Sequence, residues 1–184
     1  MKLFDTHTIE SASAPSANLL TSIEKKYGFI PNLLATMAES PELLEGYATL
    51  VGILAKSDLS ETEQQIVMMT NNRLNGCGYC MAAHSTLSKM SGIDSNVINA
   101  LRDGTPINDA KLEALHVFSA VINQSKGNPT KEQIDAFLGA GYSKKTILEV
   151  VLATSIKVMS NYTNHIADTQ VDDAFSENTW SAKG

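Results

Sequence analysis

The chain reads as an all-α protein, a bundle of about eight or nine helices. Three observations predict this. Apolar residues recur at three- and four-residue spacing along most of the sequence. The periodic stretches begin at serine, threonine, asparagine or aspartate and end at glycine or proline. No stretch shows the convincing alternation of a half-buried strand.

Taken in order, Ser16 to Tyr27 forms a first helix closed by Gly28, and Pro31-Asn32 start a short one through Met37. Ser40-Pro41-Glu42 is a start signal, with Ser40 as N-cap and Pro41 at the first helical position. Its helix carries Leu43, Leu44, Tyr47, Leu50, Val51 and Leu54 as a stripe. Ser60-Glu61-Thr62-Glu63 matches a capping box and opens a helix to about Leu74, broken by Asn75-Gly76. A helix from Cys77 to Met90 follows, ended by Gly92. Asp94 caps a short helix to Leu101, and Arg102-Asp103-Gly104-Thr105-Pro106 is a turn. Asn108 begins a long helix enclosing Leu112, Leu115, Phe118 and Ile122, stopped by Gly127-Asn128-Pro129. Thr130-Lys131-Glu132-Gln133 starts the next. Ser143 caps a last long helix to about Ala167, with a stripe of Ile147, Val150, Val151, Thr154, Val158 and Tyr162. From Asp168 the chain is a polar, acidic tail with Phe175 and Trp180 as isolated anchors, either frayed or docked on a neighbouring subunit.

Composition agrees with one folded domain over residues 1–184, with 168–184 as its tail. Hydrophobic residues make up 43% and charged residues 18%, enough apolar material for a core. A net charge of −6 offers no basic stripe to nucleic acid or anionic lipid. No segment reaches the roughly 20 apolar residues of a membrane span. The N-terminus lacks the apolar run of a signal peptide, so a cytoplasmic location is expected.

The chemistry is concentrated in Cys77-Gly-Tyr-Cys80-Met-Ala-Ala-His84, which holds both cysteines of the chain. On a helix, at ~100° per residue, the three side chains fall within about 60° of one another. Asn75-Gly76 lets the chain turn sharply, so Cys77 stands at or near a helix N-terminus, where unpaired amides and the dipole favour a thiolate. His84, four residues after Cys80, can reach that sulfur directly or through a water. Cys77 is the nucleophile by the usual exposure argument, Cys80 by its pairing with His84. Other fates for the pair are ordinary buried thiols, an inert disulfide, or a zinc site completed by His84 with His116 or His165. One CxxC and one histidine make an incomplete zinc set, and no metal is expected. Redox chemistry is the reading the spacing favours.

Glu63 sits in the middle of the apolar face formed by Leu59, Ile66, Val67, Thr70 and Leu74, where a carboxylate is costly unless paired or protonated. It is either the third residue of the capping box or a proton relay to His84. Of the other histidines, His7 falls in an N-terminus expected to be mobile, His116 is mid-helix among apolar neighbours, and His165 belongs to a polar cluster late in the last helix. The seven methionines read as core filler. The sequence shows no sign of haem, flavin or nucleotide binding and no Gly-rich phosphate loop, and no cofactor is expected.

The segment Asn75 to Ser85, preceded by Glu63-Gln64-Gln65-Ile66-Val67, resembles the alkylhydroperoxidase AhpD-like members of the carboxymuconolactone decarboxylase family. Tyr27-Gly28-Phe29-Ile30-Pro31-Asn32-Leu33 and Asn161 to Thr169 resemble a peroxidase-related branch of it, so the likeness runs from about Leu19 to Phe175. The resemblance implies a helical subunit in trimers or hexamers and a thiol peroxidase acting on alkyl hydroperoxides or hydrogen peroxide. It gives Cys80 the attack on peroxide, Cys77 the closure to a disulfide and His84 a place in the proton relay. It also implies a dithiol partner, such as a lipoylated protein, that reduces the disulfide. One position departs: where the family often carries a glutamate, twelve residues before the first cysteine, this chain has Gln65, which cannot take up a proton. Either Glu63 substitutes or His84 works alone. The alternative function is a protein disulfide oxidoreductase or redox sensor with little peroxidase turnover.

Overall fold

The structure, a computed structural model, describes residues 3–182. Among these residues there are nine α-helices and no strands: α1 (Ala14–Tyr27), α2 (Asn32–Met37), α3 (Pro41–Leu54), α4 (Glu61–Leu74), α5 (Gly78–Met90), α6 (Ser95–Asp103), α7 (Ala110–Gln124), α8 (Lys131–Gly139) and α9 (Lys144–Ala167). A 3-10 helix, Asp173–Asn178, follows. The expected start and stop signals operate. The side chains of Ser40, Ser60, Asp94, Thr130 and Ser143 each accept a backbone N–H of the turn they open. α1 starts two residues earlier than expected, because Pro15 fits its first turn. α7 is capped by Asp109 rather than begun at Asn108.

α4 is the central helix and packs against α5, α7 and α9. It divides the buried apolar side chains into two clusters. One joins α4, α6, α7, α8 and α9 and includes the stacked rings of Phe118, Phe137 and Tyr142, with centroids 4.2 and 4.5 Å apart. The other joins α1, α2, α3 and the first turns of α5, and both cysteines belong to it.

A chain of amides, buried at Asn71, Asn72 and Asn161 and partly buried at Asn75 and Asn123, ties α4 to α7 and α9. Asn123 on α7 donates to Asn71 (2.8 Å) and Asn75 (3.0 Å). Asn75 donates to Asn161 on α9 (2.8 Å), and Asn161 donates to Asn72 (3.0 Å). Breaking these bonds leaves amide groups of the buried Asn71, Asn72 and Asn161 unpaired, which is costly, so the end of α4 is held in one position against α7 and α9.

The buried face of α9 differs from the expected stripe. Val151, Val158 and Tyr162 are exposed, whereas Val150, Ala153, Ile156, Lys157, Ser160, Asn161 and Asn164 point inward. The inward face thus turns from apolar to polar along the helix, and hydropathy misplaces it by about one residue. The C-terminal tail also departs from expectation: it docks on its own chain. The 3-10 helix lies on α5, and Phe175 enters the second cluster against Tyr79 and Phe29. Arg102 donates to the carbonyls of Asn178 and Thr179, and the Trp180 indole donates to the carbonyl of Arg102. The N-terminal segment is tied down too, since the His7 amide donates to Ala35 and its ring pairs with Glu39 at 2.7 Å.

Candidate active site

Gly76 makes the turn from α4 into α5 at φ +67°, a conformation glycine adopts without Cβ strain. Cys77 is the N-cap of α5, and its amide donates to the Asn72 backbone carbonyl at 2.9 Å, so the last turn of α4 fixes the first cysteine. Cys80 lies in the first turn of α5, among unpaired amides and at the positive end of the helix dipole. Both sulfurs are free thiols, and Cys80 is only 2% exposed. Asn164 of α9 reaches both, its amide donating to the Cys80 sulfur at 3.2 Å and to the Cys77 sulfur at 3.7 Å.

The two thiols hold one proton between them unequally. Burial pushes the Cys80 thiol up, but the hydrogen bond from the Cys77 thiol, the charge of Lys157 and contacts with Ser160 and Asn161 outweigh it and bring Cys80 below the ordinary thiol range. The hydrogen bond to Cys80, then burial and the Cys80 charge, push Cys77 the other way. The electrostatics therefore make Cys80 the thiolate and Cys77 the proton-bearing neighbour.

His84 is held from both sides. Lys157, 0% exposed, brings its Nζ to 3.0 Å from the His84 Nε2. An ammonium has only protons to give, so Nε2 is the acceptor and the ring proton sits on Nδ1. From there it donates to the Gln65 Oε1 at 2.8 Å. Burial, and then the Lys157 charge, push the imidazole's pKa well below its usual range, so the ring is neutral.

Glu63 lies elsewhere. Its carboxylate accepts from the Ser60 amide (2.9 Å) and hydroxyl (2.7 Å) and faces Lys111 at 3.9 Å. Two residues from Gln65, it points to the other side of α4. It completes the capping box and does not touch His84, which corrects the relay reading and leaves Gln65 as the partner of the ring. Nor does the structure bring the remaining histidines to the cysteines: His116 pairs with Glu113 at 3.2 Å, and His165 is exposed. Among the described residues no three of His, Cys, Asp and Glu gather as metal ligands.

A cavity of about 560 Å³ opens onto Cys80, His84 and Lys157. Its walls are mostly apolar, among them Leu19, Ile23, Phe29, Tyr47, Met68 and Phe175. Its size suits a small organic molecule. Tyr79, between the cysteines, braces one wall. Its hydroxyl donates to Asp172 at 2.6 Å and accepts from the Leu33 amide at 3.2 Å, while Asp172 also accepts from the Asn32 amide.

Lys157, Asn164 and Tyr47 are the site residues that sequence reasoning missed. The signal was present for the first two: Ala153, Lys157, Ser160, Asn161 and Asn164 continue the three-four spacing of Val150. Reading only apolar residues as inward hides it.

Residues 41–121 match the model of the carboxymuconolactone decarboxylase family. No curated protein matches the sequence. Among solved structures, a peroxidase-related protein with an alkylhydroperoxidase AhpD core from Ralstonia eutropha JMP134 is 15% identical, covering 94% of this chain and 93% of its own, with a TM-score of 0.83. A peroxidase-related protein from Silicibacter sp. TM1040 is 18% identical over 89% and 87%, with a TM-score of 0.77. The debrominase Bmp8, in complex with 2,3,4-tribromopyrrole, is 19% identical over 88% and 87%, with a TM-score of 0.72.

Proposed function

We propose that this AhpD-like chain, whose residues 41–121 match the carboxymuconolactone decarboxylase family model, is a member of that family and a thiol-dependent peroxidase with an antioxidant role, reducing organic hydroperoxides through Cys80 and Cys77. The observation that carries the reading is the Cys80 sulfur, held toward thiolate by Cys77 and Lys157 at an apolar cavity.

The Cys80 thiolate attacks the distal peroxide oxygen. The O–O bond breaks, the alcohol leaves as an alkoxide that takes one proton, and Cys80 becomes a sulfenic acid. The Cys77 sulfur attacks the Cys80 sulfur, the S–O bond breaks, and water leaves with a disulfide behind it. An external dithiol returns both thiols by exchange. Because both sulfurs lie below the surface, that dithiol is carried on a slender arm, such as a lipoyl group, rather than on the face of a folded protein. This burial disfavours general protein disulfide exchange.

Two further expectations stand with this reading. The outward face of α9 carries exposed Leu148, Val151, Val158, Tyr162 and Ile166, an apolar surface suited to another copy of the chain in a trimer or hexamer. A cytoplasmic location suits a reduced CxxC. Among the described residues, no helix is long and apolar enough to cross a membrane.

The apolar walls of the cavity favour a second reading, debromination of a small organic molecule, the activity for which the debrominase Bmp8 is named. One assay separates the two. With a small dithiol as reductant, cumene hydroperoxide loss and bromide release from a bromopyrrole are followed together. Peroxide loss that disappears in Cys80→Ser, with a single oxidation retained in Cys77→Ser, supports the peroxidase. Undiminished peroxide loss in Cys80→Ser sinks it, and bromide release without peroxide loss installs the second reading.

A further inference from the structure

Cys77 bears a proton that the resolving step must remove, and the leaving alkoxide needs a proton that something must supply. The residues around the sulfurs narrow the candidates. Gln65 has no site for a proton. His84 accepts at Nε2 from Lys157 and donates at Nδ1 to Gln65, so its ring is locked in one tautomer with both nitrogens engaged. Tyr47 and Tyr79, the other titratable groups facing Cys80, are held as neutral phenols, by burial first in each case and with the Cys80 charge contributing. The Tyr79 hydroxyl is already spent on Asp172. The remaining group is Lys157, which is fully buried, lines the cavity beside Cys80 and is aimed by the His84–Gln65 pair.

We propose that Lys157 is the proton carrier of the Cys80–Cys77 cycle, and that His84 and Gln65 act as positioning residues that hold its amine in the cavity onto which Cys80 opens. The inference rests on the peroxidase reading for its first step only. In that step the alkoxide takes a proton from the Lys157 ammonium, leaving Cys80 as sulfenic acid and Lys157 as a neutral amine. The amine then removes the Cys77 proton. The Cys77 thiolate attacks the Cys80 sulfur, and the departing hydroxide regains that proton as water. When an external dithiol reduces the disulfide, Cys80 is released as a thiol and hands its proton to the amine, which restores the starting pair. Charge is conserved inside the cavity throughout: thiolate and ammonium before oxidation, two neutral groups after it. A buried lysine suits this task because its stem is flexible and its rotating protons can reach more than one partner.

The test compares Lys157→Met and Lys157→Arg with the wild type. Three readouts are used: iodoacetamide alkylation of Cys80 against pH, oxidation by cumene hydroperoxide, and closure of the disulfide after oxidation by peroxide or diamide. Lys157→Met should lower Cys80 alkylation at pH 6 at least about tenfold, through loss of the nearby charge. It should slow peroxide oxidation about 100-fold, the scale of general acid catalysis. Lys157→Arg keeps a charge that cannot be given up. It should restore alkylation to within about twofold of wild type while leaving disulfide closure slowed at least about tenfold, so that a dimedone-reactive sulfenate accumulates. Closure at the wild-type rate in Lys157→Arg overturns the carrier role, and an unaltered alkylation profile in Lys157→Met overturns the electrostatic one. Should the methionine variant lose its helical circular dichroism, the arginine variant decides alone. If wild-type protein ignores the hydroperoxide, the peroxidase reading fails, while diamide-driven closure and alkylation still report on Lys157.

Discussion

The carbonyl oxygen of Trp180 lies 2.8 Å from the point where a Cβ on Gly78 would stand. The residue between Cys77 and Tyr79 is therefore small because the C-terminal tail crosses the CxxC turn there. Gly78→Ala should push the tail off α5 at a cost of about 1–3 kcal/mol, the range for an added methyl in a packed site. A lower melting temperature, with faster hydrogen exchange over residues 173–180, is the expected result. An unchanged exchange pattern would show that the tail accommodates the methyl.

Glu63 belongs to the cap and not to the cysteines. Glu63→Gln should leave Cys80 alkylation and peroxide consumption within about twofold, a change of ~0.4 kcal/mol. Its effect falls on stability in acid. Burial raises the Glu63 pKa, but the Ser60 bonds, with Tyr142 and Lys111, outweigh it and leave the carboxyl below its ordinary range. A carboxyl lowered on folding stabilises above its unfolded pKa, near 4.3, and loses that contribution as pH falls through the folded value. The glutamine variant should therefore show a flatter stability curve below about pH 4 in denaturant titrations. A large loss of peroxide consumption would return Glu63 to the relay.

The shared proton of the thiol pair is open to measurement. The Cys77 hydrogen bond and the Lys157 charge hold Cys80 below the ordinary thiol range, so its alkylation should persist at pH values where an ordinary thiol is protonated and fall only in more acid solution. Cys77→Ala removes the thiol that donates to Cys80, and the midpoint should move upward. A midpoint that stays in place would mean that Lys157 alone sets the thiolate.

Gln65→Glu places a carboxylate against the Nδ1 proton of His84. An opposite charge at hydrogen-bond distance favours the imidazolium, by about one to three pKa units. The His84 ring resonance in NMR, expected to stay neutral across ordinary pH in the wild type, should begin to titrate in the variant. Disruption of the Nε2 contact with Lys157 should follow, because two cations cannot share it. A ring that remains neutral in the variant would contradict the assigned tautomer.

Much of this fold was legible because helix ends are written locally. Ser40, Ser60, Asp94, Thr130 and Ser143 each announce a start, and the structure uses all five. The placing of Cys77 and Cys80 at the start of α5 was equally local, following from Asn75-Gly76. What stayed hidden depends on distant pieces of chain. Gln65 stands out in the sequence as a departure, but its bond to His84 needs the packing of α4 on α5. Lys157 and Asn164 need α9 to lie across the cysteines, and the apolar stripe of that helix pointed to its wrong side. The tail was misread because its anchors, Asp172 and Arg102, find partners some 80 or 90 residues away.

Helix α9 turns its amine and amides inward and leaves leucine, valine, tyrosine and isoleucine outside. Its tolerance to substitution should accordingly run against hydropathy. At positions 157, 161 and 164 the exchanges that look harmless, to leucine or methionine, would keep the volume and remove the groups that face the sulfurs. Ordinary rules of thumb that score such replacements as core improvements would select, on this one helix, for a well-packed protein whose thiolate keeps only Cys77 and Ser160 to hold it.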